Sequence, residues 1–434
     1  MSAEAQANLE TPSVMHMRTA FEQATARSTV RQTAFDAFAK VGFPTPRDEH
    51  WKYTNLRRLE SRQFVIGSQN VPLTNKPETP SNAYQAVFVD GFFRSELSTL
   101  PNTKELRIIS IAALQESAPE QVTEALSIAL NNSGSMQHLN TALTQDGIVI
   151  EVVANTAVEE PLFLNFMWSN SANNLMAHPR ISIKAGSHSK LTVIQQYLGT
   201  GAHSNFNNSV TTIQLAESAH LEHGLIQSEN NQSFNLHLIQ AELSAQATFK
   251  NHHFNFGGAL ARTDINVLLK GTDTNVTLNG LQFASGNQHH DTHLRIEHCV
   301  PHTSSHQDYR GIADQRGRIV FNGKVKVHEQ AAKTDAQQSS RNLLLSSTAE
   351  IDTKPELEIY NDDVKCAHGA TVGQLDATAL FYLRSRGLDE PQARALLTHA
   401  FANHIIRQVT IPELQQQLTD LCNARFSDQL ESAT

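Results

Sequence analysis

The hydrophobic period of the chain changes twice. Over residues 14–41 it is helical: Val30, Ala34, Phe35 and Phe38 make one apolar stripe, and Gly42-Phe43-Pro44 ends it. A second, short helix is predicted over 47–59, carrying Trp51 and Tyr53. Residues 61–80 are polar and punctuated by proline, as in a linker, and Ala86 to Phe93 reads as a hairpin turning on Asp90-Gly91. Helical spacing returns over 110–145. From Gly147 the period drops to two, opening with Ile148-Val149-Ile150-Glu151-Val152-Val153. Small or polar turns then precede apolar strand starts at Leu191, Leu221, Phe249 and Val276, steps of 30, 28 and 27 residues. A near-constant step of this size is the mark of a solenoid whose coils bury one another's faces. After Val276 the step drifts.

Beyond Gly373 the period is helical again. A helix over 374–386 is ended by Gly387, and a stripe of Ala393, Leu396, Leu397, Ala400, Phe401 and Ile405 follows, entered through Asp389-Glu390-Pro391. Such helices either cap an open β end or present a binding face. The predicted organisation is mainly β with helical flanks: a mostly helical domain over 1–145, a β core over 146–371 and a helical domain over 372–434.

Composition narrows the function. The hydrophobic fraction of 39% is low, and Asn, Gln, Ser and Thr are abundant. That suits solvated solenoid strands and does not suit a doubly wound α/β enzyme, whose parallel strands read as continuous apolar runs. A net charge of -9 argues against nucleic acid as a partner. No apolar run approaches the roughly 20 residues that cross a bilayer, and residues 2–15 lack the pattern of a signal peptide. The three cysteines, Cys299, Cys366 and Cys422, are odd in number and scattered. They point to a reducing compartment, so a cytoplasmic location is expected.

The leading chemical pair is Cys366 and His368. In an extended segment, residues two apart share one face of the sheet. A thiolate and an imidazole can ligate iron or zinc, but a cluster usually takes four ligands, so the remainder would come from another chain. The plain alternative is a small buried thiol beside a hydrogen-bonded turn histidine. A second histidine-rich stretch holds His289, His290, His293, His298, His302 and His306, with Cys299 among them. Within strands, 298, 302 and 306 would share a face; with no accompanying Cys-x-x-Cys or His-Glu-x-x-His, a solvated polar face is the simpler reading. Asp264, Asp273 and Asp291 are either lyase-like acids or turn residues. No phosphate-binding Gly-x-x-x-x-Gly-Lys-[Ser/Thr] is present, and neither Gly-x-Ser-x-Gly nor Gly-x-Gly-x-x-Gly occurs.

One further observation concerns the run from Gln337 through Arg341-Asn342-Leu343 and Ser346 to Lys354-Pro355-Glu356-Leu357, followed by Cys366-Ala367-His368-Gly369-Ala370-Thr371. With Trp51-Lys52-Tyr53-Thr54 and Leu380-Phe381-Tyr382-Leu383-Arg384-Ser385-Arg386-Gly387, it closely resembles the SufB/SufD family of iron–sulfur cluster assembly proteins, most of all the SufD branch. The resemblance implies a right-handed parallel β-helix core and a non-catalytic scaffold subunit. It also implies a complex with a SufB-type paralogue and a SufC-type ABC ATPase, the ATPase docking on 374–430. The main sulfur-accepting cysteine would lie on the paralogue. His368, and secondarily Cys366, would act from across the interface as candidate ligands of a transient, shared iron–sulfur cluster. The family is also linked to reduced flavin, for which this chain carries no fingerprint. Whether the chain alone forms a homodimer is left open. Two rival readings are an exported β-helix polysaccharide lyase or hydrolase, disfavoured by an aromatic content of 6%, and a purely structural scaffold. The latter differs only at His368 and Cys366.

Overall fold

The structure, a computed structural model, describes residues 11–432 apart from short segments at 25–27, 70, 74–76, 78, 128–133, 170–172 and 200–202. The core is a parallel β-solenoid in which the chain alternates between two sheets, one strand in each per coil. The first sheet runs from Leu106–Ser110 through Gly147–Val152 and Phe206–Leu215 to Glu350–Ile359. The second runs from Phe92–Phe93 and Tyr84–Val89 through Lys190–Leu198 to Lys365–Gly373. Neighbouring strands are parallel except at the start, where Leu106–Ser110 lies antiparallel to Gly147–Val152 and the Tyr84–Val89 and Phe92–Phe93 hairpin folds back on itself. Asp90 and Gly91 make that hairpin's turn with φ of 52° and 90°, the left-handed pair such a turn requires.

The coil step seen in the sequence is the hydrogen-bond register. Leu191, Leu221, Phe249 and Val276 pair rung by rung. The step does not drift after Val276: Ser305, Ala336 and Cys366 continue the same column. The drift is only apparent, because the inward residues turn small or polar while the coil length is kept. Alternation buries one face of each strand inside the solenoid. The inside is apolar around Ile183, Val193, Ile239, Ile265 and Leu278, but it also encloses His223, Asn251, His253 and Gln307.

Three helical expectations change. The stretch 14–41 is two helices, Pro12–Gln23 and Thr29–Val41, stacked through Phe21 and Phe35 at 4.6 Å between ring centroids. The 47–59 region is one 3-10 turn at Glu49–Trp51 and a single turn at Arg57–Glu60, because its aromatic and polar residues anchor to the sheet instead of to each other. The C-terminal helices do not cap an open end. Glu390–Ile406 and Pro412–Ser432 lie along the outer face of the second sheet, where Ala402, Ile405, Ile406, Leu414 and Leu418 meet Ile194, Ile226, Phe254 and Leu281. The buried stripe is therefore Ala393, Ala402, Ile405 and Ile406, and Leu396 and Ala400 face solvent. A capping box of Asp389 with Gln392 starts this helix. The preceding helix, Ala377–Ser385, buries none of its residues, and Phe381 and Tyr382 stand 75% and 56% exposed.

Candidate functional site

Register places the leading pair. Cys366 and His368 lie on the last strand, Lys365–Gly373, opposite Ala336 and Gln338 of the strand before it. Ala336 and Gln338 both point into the solenoid; Gln338 donates to Gln307 Oε1 of the coil below at 3.0 Å. Parallel register keeps side chains of one row on one side, so Cys366 and His368 continue the inward face. Cys366 accordingly packs with Val325, Val327, Ala336, Leu357 and Val364 and is half-buried. Burial pushes its thiol above the usual range. His368 is exposed. The two thus share a face, as their spacing predicted, but differ in setting.

No further coil follows. The strands Glu350–Ile359 and Lys365–Gly373 are each hydrogen-bonded on one side only within the two sheets, leaving a row of backbone donors and acceptors free on the other. Pro355, which has no donor to offer a ladder, sits in the first of them opposite Gly323, a place proline tolerates only at an edge. Ile359, Tyr360 and Val372 are exposed along the same end.

The other candidates separate. His298, His302 and His306 do not share a face. His298 points inward and bonds Thr303 and Ser305, His302 occupies a turn at φ 58°, and His306 is exposed on the next strand. The stretch is not a solvated face either, since His290 is fully enclosed with Nε2 at 2.8 Å from the carbonyl of Gly257. Of the three aspartates, only Asp273 is a turn residue, at φ 59°.

Asp264 and Asp291 grip Arg262, with Nη1 donating to Asp291 at 2.8 Å and Nη2 to Asp264 at 2.8 Å. The same guanidinium lies 3.9 Å over the Trp51 ring and donates to the carbonyl of His50. Thr54 Oγ1 donates to Asp291 Oδ2 at 2.5 Å. Burial alone would raise Asp291, but the charges of His293 and Arg262 outweigh it and hold the carboxyl well below its usual range. This cluster therefore pins the Trp51–Thr54 segment to the first sheet. Both carboxylates are spent on Arg262 and form no lyase-like pair of acids.

One grouping escaped sequence reasoning. Glu297, Cys299 and His328 bring a carboxylate oxygen, a thiol and an imidazole nitrogen within 4.8 Å of one another.

Residues 167–401 match the family model described as SUF system FeS cluster assembly, SufBD core domain, and 16–164 match the SufBD protein N-terminal region. This chain belongs to the SufB/SufD family. An iron–sulfur cluster assembly SufBD family protein of Synechocystis is 34% identical over 415 residues, covering 91% of this chain and 90% of that protein. The iron–sulfur cluster assembly protein SufD of Escherichia coli is 32% identical over 400 residues, covering 91% and 92%. A chloroplast protein of Arabidopsis thaliana, ABCI7, is 26% identical, covering 96% and 91%. Within the SufB/SufD family the chain is most like SufD, and membership associates it with iron–sulfur cluster assembly. No helix among the described residues is long and apolar enough to cross a membrane.

Proposed function

We propose that this chain is the SufD-type scaffold subunit of a complex with a SufB-type paralogue and an ABC-type ATPase, working in the cytoplasm without catalysis of its own. The nascent iron–sulfur cluster is its cargo, held between the two scaffold chains at the open end of the solenoid. One observation carries the reading: Cys366 and His368 continue the inward columns on a terminal strand that lacks its next coil. A partner strand paired to that edge would supply the missing coil, satisfy the free backbone groups and enclose both side chains. Two ligands from this chain and others from the partner would then complete a cluster site.

The two residues have unequal parts. The Cys366 thiol rests among aliphatic side chains and is held protonated by burial, which suits a packing residue that could act as an accessory ligand. The exposed imidazole of His368 is free to bind ferrous iron or to carry a proton, and it takes the principal role.

The ATPase is proposed to dock on the exposed helix Ala377–Ser385, which directly follows the terminal strand. The test is iron and acid-labile sulfide per purified, stoichiometric complex. His368→Ala should keep the complex assembled and its ATPase running while sharply reducing cluster; Cys366→Ser should reduce it less. Wild-type cluster content in an intact His368→Ala complex would leave only a structural scaffold.

A further inference from the structure

We propose that Glu297, Cys299 and His328 form a second metal site, separate from Cys366 and His368: a three-ligand cradle for a borderline-soft divalent cation such as zinc or ferrous iron, with a fourth position open. The placement follows from the coil. Cys299 and His328 are the residues just past two neighbouring strands of the first sheet, His289–His298 and Arg318–Val327. The rung before them pairs His298 with Val327, and the amide of His328 donates to the carbonyl of His298 at 3.0 Å. Ladder spacing thus sets the thiol and the imidazole side by side, about 4.8 Å apart at the backbone. Glu297 lies two residues before Cys299 and so shares its outward face.

The donor set is thiolate, imidazole and carboxylate, the mixture that tetrahedral zinc and ferrous sites use. His328 Nε2 is 2.9 Å from Glu297 Oε2. The other carboxylate oxygen is held by Arg295 Nη2 at 2.7 Å, which turns Oε2 toward the cradle as a second-shell partner would. Cys299 makes only one weak contact, to the carbonyl of Glu297 at 3.7 Å. The His328 and Glu297 side chains are 29% and 14% exposed, enough for an ion to enter and shed its water. Metal–ligand bonds of about 2.0–2.3 Å put ligand atoms about 3.3–3.7 Å apart. The nitrogen–oxygen pair must therefore open slightly and the sulfur close by up to about 1 Å, within reach of side-chain rotation. Val327, next to His328, packs in the same apolar cluster as Cys366. The cradle and the open end are neighbours but share no ligand.

The experiment is an anaerobic titration of the reduced full-length chain with cobalt(II), whose thiolate charge-transfer band in the near ultraviolet reports a cysteine ligand. One equivalent should produce the band. Cys299→Ser should abolish it, and His328→Gln and Glu297→Gln should each weaken binding more than about tenfold, the least expected when a ligand is lost. The double variant Cys366→Ser/His368→Ala should retain the band, so this site and the proposed assembly site fail independently. A wild-type chain without the band overturns the proposal, as does a band that survives Cys299→Ser and vanishes in the double variant. In the unaltered protein, zinc should also slow alkylation of Cys299, located by peptide mass spectrometry, at least tenfold; an unchanged rate overturns the proposal even if the variants fold poorly.

Discussion

Acid should unfold this solenoid well above the pH at which ordinary carboxylates titrate. His178, His223, His237, His253, His290 and His298 are at most 4% exposed. Burial pushes each below its usual value: to about 3 for His178, His223, His253 and His290, to about 4 for His298, and well below for His237. The unfolded chain takes up these protons near pH 6.5 and the folded chain does not. Their stabilisation is therefore intact above about pH 6.5 and falls as pH drops from there toward the folded values. One unit below 6.5 each histidine costs about 1.4 kcal/mol, so six cost about 8 kcal/mol at pH 5.5. Asp90, Asp146 and Glu229 act in the opposite sense. Burial raises them, so the folded chain binds their protons more readily, and they offset part of the loss. A loss on the order of several kcal/mol is a large part of a typical total stability of about 5–15 kcal/mol. Urea unfolding followed by circular dichroism at pH 7.5, 6.5 and 5.5 should show a midpoint falling steeply below 6.5, with net proton uptake on unfolding. A flat midpoint across this range would refute the reasoning, since six enclosed neutral imidazoles could not then be present.

Two shorter expectations follow from packing. A methyl group at Gly280 would come within 2.3 Å of Tyr309 Cε1 and 2.8 Å of the His253 carbonyl oxygen, inside the solenoid. Gly280→Ala should cost about 1–3 kcal/mol and lower the thermal midpoint; an unchanged midpoint would show that the coil gives way freely. Phe381→Ser with Tyr382→Ser alters only exposed side chains, so the isolated chain should keep its stability within about 0.5 kcal/mol while recovery of the ATPase falls. Undiminished recovery would move the docking surface elsewhere. Deleting 374–430 is a poorer test, because it strips the apolar cover from Ile194, Ile226 and Phe254.

The parts of the fold legible in the sequence were those fixed by local pattern. The step from Leu191 to Val276 showed because the inward residues there are large and apolar, so a constant coil length surfaced as a constant apolar spacing. Where the column passes to Ser305 and Ala336, the coil persists and its hydrophobic signal does not. The shared face of Cys366 and His368 was legible because it needs only strand geometry. The cradle of Glu297, Cys299 and His328 was not, since it joins residues from two coils. A signal was nonetheless present: 328 − 299 = 29, one coil step. The anchoring of Trp51 by Arg262 had no such trace, because contacts between a loop and a sheet face follow no period. The direction of the C-terminal helices was hidden for a related reason. Their apolar residues advertise burial without saying on what.

The antiparallel strands that open the solenoid have a bearing on stoichiometry. Leu106–Ser110 and the Phe92–Phe93 return reverse the chain at one end of the stack, and a parallel strand arriving there would meet backbone running the wrong way. The parallel coil repeat can consequently be continued in the same sense from one end only. Reversed strands at one end thus work against head-to-tail growth, where a stack of identical coils open at both ends would polymerise into a fibre.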